Sequence, residues 1–190
     1  MNIFYLDHEP AKCAEYMVDK HVVKMILEYC QLLSTAHRVI DGFEDIEKRY
    51  VLGSLPPRWR NVKVWTLKDD RNKVLYSATH INHPSAIWVR QSKANYDYLV
   101  SLLRGCLSEY TYRYGKKHKC EGLLPHLINS PRNIRIGPFT EPTPAMPDDC
   151  KVPGDSILSY RKYYIQNKQG LHSWKGKVNG RPVPHWIMEN

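Results

Sequence analysis

Between Pro10 and Ile40, Ala14, Val18, Met25, Tyr29, Leu32, Ala36 and Val39 recur at three- and four-residue steps. That spacing paints an apolar stripe along one helix face and predicts one long helix over this stretch. His21 and Glu28 fall inside the stripe, two turns apart, and Lys20, Lys24, Gln31 and Arg38 flank it. An imidazole and a carboxylate set beside a helix's own core must be satisfied there or used there. A lone histidine on an apolar face is ordinarily a hydrogen-bonded core residue. Glu28 on the same stripe, with Lys20 and Lys24 beside it, makes this helix a candidate wall of a site.

The rest of the chain supplies partners for that stripe. Asn2 to Leu6 is short and apolar, a strand or an extended arm, and Asp7 or His8 is placed to cap the helix ahead of Pro10. The first residues are close enough to the helix for the α-amine of Met1 to pack near Asp19 or His21. Asp41-Gly42 ends the helix. Phe43 to Leu55 reads as a short helix and a connection, broken by Pro56-Pro57. Val62 to Leu67 and Lys73 to Ser77, around Lys68 to Asn72, read as a β-hairpin insertion over 56–78. Its arginines alternate with Trp59 and Trp65, which suits either a plain surface insertion or an arm that touches phosphates.

Asn82 or His83 caps a helix starting at Pro84, and a helix start is a natural seat for an anion. His80, His83 and Arg90 are the side chains that would converge on it. The two histidines also have a metal-ligand spacing, but no third ligand follows from spacing, so neither metal nor cofactor is expected. A further helix runs from about Ser92 to Tyr114 and stops at Gly115. Tyr96, Leu99, Val100, Leu103, Leu107, Tyr110 and Tyr114 form its core face, and Asn95, Glu109 and Arg113 share one flank. Glu109 and Arg113 read most simply as a surface pair one turn apart. Lys116 to Lys119 is a solvated cap or a phosphate patch.

Glu121 to Ile128 is a short helix, and the proline-rich stretch 131–154 is a loop long enough to be a lid. Asp155 or Ser156 caps a last helix to Gln169, with Tyr160, Arg161 and Tyr164 on one face. The whole reads as a mainly α single domain over 1–190, with about three long helices and several short ones. The cysteines are odd in number and form no CxxC pair, which argues against a zinc knuckle. A formal net charge of +9 points to a polyanionic or phosphate-bearing partner, and tyrosines and tryptophans add stacking surfaces. No apolar run approaches membrane-spanning length and no basic n-region opens the chain, so neither a membrane nor secretion is expected.

The stretches Asn2–Asp7, Asp19–Glu28, Gln31–Arg38, His83–Ser92, Asn95–Leu99, Glu109–Lys119, Pro138–Asp148 and Tyr160–Tyr164 together resemble a family of small phage-encoded proteins. More distantly, the layout is similar to the pyrimidine-dimer DNA glycosylase family that includes phage endonuclease V. The features shared are Ala14-Glu15-Tyr16 on the first helix, an acid shortly after it, and the late Tyr163-Tyr164 pair. The resemblance implies a small, basic, helical enzyme whose N-terminal amine attacks a sugar, assisted by a carboxylate on the first long helix. It also implies a cytoplasmic setting in a bacterial host. Members expose a small residue as their amino terminus; here Asn2 follows Met1, so Met1 itself is the amine candidate.

The first functional expectation is therefore a DNA-acting glycosylase or lyase. It needs an amine with a neutral fraction, which an α-amine near pKa ~8 supplies and a lysine supplies only when buried. Met1 is the first candidate, with Lys20 and Lys24 as alternatives; Asp19 or Glu28 would move protons or steady a cationic imine, and His21 counts among the catalytic candidates. Arg90, Arg113, Lys116 and Arg161 would hold phosphates, and Trp88, Trp59 or Tyr96 would stack on an extruded base. A second expectation is an enzyme on free nucleotides or modified-base precursors, with a pocket formed by His21, Glu28, His83, Arg90 and Asn95. A third is a non-catalytic binder of nucleic acid or nucleotide. Oligomeric state does not follow from the sequence.

Overall fold

The structure, a computed structural model, describes residues 1–51, 56 and 58–189. The expected first helix is two: α1, Pro10–Tyr16, and α2, Asp19–Asp41. Met17 and Val18 between them are extended and fully buried. The apolar spacing runs through this break unchanged, so periodicity alone cannot reveal it. What permits it lies far along the chain. Arg113 donates to Glu15 O at 2.8 Å and to Met17 O at 2.9 Å, carbonyls that a continuous helix would have paired internally. The Asp19 N–H turns instead to Ser173 O at 2.8 Å. The cap of α1 also differs from expectation. Glu9 is the N-cap and makes no side-chain cap bond, while Asp7 Oδ1 accepts the Glu9 N–H.

Gly42 closes α2, its N–H on Arg38 O, and a Cβ there would stand 2.8 Å from Thr66 O. The chain then enters a two-stranded antiparallel ribbon, β1 Phe43–Val51 with β2 Arg58–Thr66, in register from Phe43↔Thr66 to Val51↔Arg58. A hairpin is present, but its strands lie earlier than expected, and 43–51 is strand rather than helix. Residues 43–50 are all exposed, so no buried face imposes an apolar alternation that the sequence would display. Residues 52–55 and Pro57, where the expected connection and break fall, lie outside the described residues.

Instead of a return strand, Arg71–Val74 forms a short helix, α3. Buried Arg38 explains this. Its guanidinium donates to Trp65 O, to Asn72 O and Oδ1, to Leu75 O and to Tyr76 O, all between 2.6 and 2.9 Å. One side chain of α2 thus sets both the base of the ribbon and the turn after it.

His83 caps α4, Pro84–Gln91, its ring nitrogen accepting from Ser85 N. Ser92 caps α5, Lys93–Tyr114, which ends at Gly115 in the left-handed conformation. A 3-10 turn over Lys119–Leu123 leads into α6, Leu124–Leu127. After the proline-rich stretch come α7, Ser156–Asn167, capped by Asp155, an extended tail, and α8, His185–Met188. α5 packs against α1, α2 and α4. Glu109 and Arg113 on α5 are not a surface pair but are buried, 3% and 0% exposed. The proline-rich stretch is a strap rather than a free lid. Ser92 Oγ holds Pro138 O, Trp88 Nε1 holds Thr140 O, and Asn95 brackets Thr140 on both its polar atoms. Among the described residues no helix is long and apolar enough to cross a membrane.

Candidate active site

The arm Asn2–Leu6 makes no strand pairing, yet Ile3, Phe4, Tyr5 and Leu6 are buried in the core. Side chains worth about 1.5–3 kcal/mol each hold it there. The Phe4 ring lies parallel to the His21 imidazole, centroids 4.3 Å apart at 13°. Tyr160 and Tyr164 of α7 close on Phe4 edge-on, the Tyr164 hydroxyl meets His21 Nδ1 at 2.6 Å, and Arg161 Nε holds Leu6 O at 2.9 Å.

The arm therefore runs back along α2 from this stack. Three extended residues cover about 10 Å, and the seven helical residues from His21 to Glu28 rise about 10.5 Å. Those lengths match, and the Met1 α-amine arrives 4.0 Å from Glu28 Oε2, with the two side chains 7% and 13% exposed. The other Glu28 oxygen takes Lys24 Nζ at 3.1 Å, on a lysine that is 67% exposed.

α4 brings a third group to this pair. The His83 pKa is lowered, first by burial, then by the positive chain amine and by His80, with Glu28 pulling the other way. His83 Nδ1 accepts the Ser85 N–H at 3.2 Å, so the neutral ring carries its proton on Nε2. Three buried polar atoms on these segments have no hydrogen-bond partner among the described residues: Asn2 Oδ1, Ser85 Oγ and Arg90 Nη1. The other Arg90 nitrogen, Nη2, donates to Ile81 O at 2.7 Å. Leaving a buried polar atom unpaired costs ~1–3 kcal/mol. His80, at the turn before α4, holds a left-handed φ of 49°. Position beside the amine was the only sequence signal for Asn2, and Ser85 gave none.

The outer face of α2 next to Glu28 carries Lys20, Val23, Lys24 and Leu27, all exposed. His21 sits behind this face, buried, with its pKa pushed down to about 3 by burial and by Lys168 and Lys24. The remaining sequence candidates lie elsewhere. Asp19 is about 13 Å along α2 from Glu28. It binds Arg113 Nη1, Ser173 Oγ and the Gly176 N–H. Arg113 is spent on Glu109, Asp19 and the two carbonyls at the helix break. Trp88 and Asn95 hold the strap. Tyr96 is fully buried between His37 and Leu127 O. Lys116 is exposed beyond the end of α5, and Arg161 fastens the arm while lying over the Trp186 ring at 5.4 Å.

An amine and a carboxylate this close can serve as an acid–base pair where the amine reacts as a nucleophile. The carboxylate takes the ammonium proton, or faces the positive charge of an imine once the amine has reacted. Among the described residues, no group of three or more His, Cys, Asp or Glu is placed to hold a metal ion. Residues 1–122 match the family model described as pyrimidine dimer DNA glycosylase, a span that contains Met1, Glu28, His83 and Arg90. No curated protein and no solved structure matches the chain.

Proposed function

The chain belongs to the pyrimidine dimer DNA glycosylase family, and on that footing we propose that it excises pyrimidine photodimers from duplex DNA with the Met1 α-amine as nucleophile. The observation that carries this reading is the 4.0 Å approach of that amine to Glu28. The neutral amine attacks C1′ of the damaged nucleotide. The glycosidic bond breaks, its electrons leave with the base nitrogen, and that nitrogen takes up a proton while the base stays joined through the dimer's cyclobutane ring to the neighbouring pyrimidine. The amine nitrogen then loses its proton and the sugar ring opens at O4′, which gains one, giving a cationic imine. Glu28 stabilises that cation and carries protons to and from it. Removal of a C2′ proton and departure of the 3′ phosphate complete a lyase step.

The surroundings of the pair suit this use. Lys20 and Lys24 flank the exposed side of Glu28, where phosphates of the duplex would lie. Arg90 Nη1, Ser85 Oγ and Asn2 Oδ1 offer unclaimed polar atoms for the extruded nucleotide.

Borohydride trapping with a duplex carrying a thymine dimer tests the reading. The expected result is a covalent adduct on Met1, identified by mass spectrometry, that persists in Lys20→Ala and Lys24→Ala. An adduct on a lysine would transfer the nucleophile's role, and no adduct together with no strand cleavage at the dimer would overturn the proposal.

A further inference from the structure

The β1–β2 ribbon carries a charge pattern that its own folding does not explain. Near the body it is acidic, with Glu44, Asp45 and Glu47. Its distal half, residues 48–51 and 58–61, holds Lys48, Arg49, Arg58 and Arg60 and no acid. Arg49 and Arg60 face each other directly across the strands, an arrangement that destabilises a ribbon. Arg49 is paired with Glu47, while Lys48, Arg58 and Arg60 have no ion-pair partner among the described residues. On the face opposite Arg58 and Arg60, the face that also carries Lys48, Tyr50 and Trp59 form a cross-strand pair, ring centroids 5.6 Å apart, and are 51% and 61% exposed.

From this pattern we infer that the ribbon is a second DNA-binding element, gripping the duplex away from the excised nucleotide. The inference rests on the DNA-directed reading of the Met1–Glu28 site. A two-stranded ribbon fits the ~12 Å major groove, where unpaired cations meet phosphates on both walls and an aromatic pair covers apolar sugar and base edges. The ribbon grows from the C-terminal end of α2, the helix that carries Glu28. Glu28 lies about 20 Å from that end, and nine strand residues add up to about 30 Å. The ribbon therefore reaches duplex beyond a short flank, but not the lesion alone.

The test compares the wild type with Lys48→Gln/Arg58→Gln/Arg60→Gln on thymine-dimer duplexes of 10 and 30 base pairs. Affinity is read against salt, excision is read under single turnover, and thermal melting controls for folding. On the long duplex the triple variant is expected to bind at least tenfold more weakly, with the slope of log K against log salt reduced by about 2.7, or 0.9 for each lost phosphate contact. On the short duplex the two proteins are expected to excise alike. Equal slopes on the long duplex, with excision intact, would overturn the ribbon's role and leave the glycosylase reading standing. A slope difference without excision would support the ribbon and overturn that reading. If the wild type binds no duplex, both fall.

Discussion

Phe4 lies flat on the His21 imidazole, 4.3 Å away and 13° from parallel, and this stack sets the register of the amino terminus on α2. Counting back from the stack along the arm leads to Met1, and counting forward along the helix leads to Glu28. The Met1 amine and the Glu28 carboxylate thus meet through a contact neither of them makes.

Replacing Glu28 by Gln keeps the shape of the site and removes its charge. The single-turnover excision rate is expected to fall by about 10²–10⁴, the range for a positioned acid–base group. Affinity for a dimer-bearing duplex should stay within about threefold. Joint loss of binding and of cooperative melting would instead assign Glu28 a structural role.

Phe4→Ala empties a buried site between His21, Tyr160 and Tyr164, and is expected to cost about 3–5 kcal/mol in urea unfolding. It also frees the arm, so the surviving folded protein should trap DNA more slowly than the wild type. Phe4→Leu should recover most of the stability and less of the trapping rate. Equal trapping by all three proteins would show that the arm does not position the amine.

Two histidines make the fold sensitive to acid. Burial pushes His21 down to about 3 and His37 to about 4. For His37 the geometry agrees: Arg71, which can only donate, points at Nδ1 at 2.8 Å, so the ring must accept there. An unfolded histidine titrates near 6.5, so between that value and about 4 the unfolded chain binds protons that the folded chain does not. The stabilisation is complete above about pH 6.5 and is lost as pH falls toward 4. Each histidine contributes a slope of about 1.4 kcal/mol per pH unit within the window. Urea midpoints from pH 7 to 4 measure this, and a flat profile would refute it.

Arg113→Lys cannot reach Glu109, Asp19, Glu15 O and Met17 O at once, because an ammonium lacks the planar fork. A loss of about 3 kcal/mol is expected, near the lower end for breaking a buried ion pair. The site should keep its activity wherever the protein stays folded. A selective loss of activity without loss of stability would place Arg113 in the chemistry after all.

The sequence by itself determined the mainly α character, helix starts at Asn82 or His83, near Ser92 and at Asp155 or Ser156, the stop at Gly115, and the stripe that carries His21 and Glu28. Each of these is written within one turn or one helical period, where local sterics and hydrogen bonding decide the outcome. Tertiary structure decided what depends on partners distant in sequence. Arg113 broke one expected helix into two, and Arg38 replaced a return strand by α3. A ribbon with no buried face showed no pattern to read. The carboxylate beside the Met1 amine was settled in the same way. Asp19 and Glu28 sit on the same helix, and Asp19 is closer to the arm in sequence. The Phe4–His21 contact, with the α7 side chains that hold the arm, joins residues with no local relation and fixed which of the two the amine would meet.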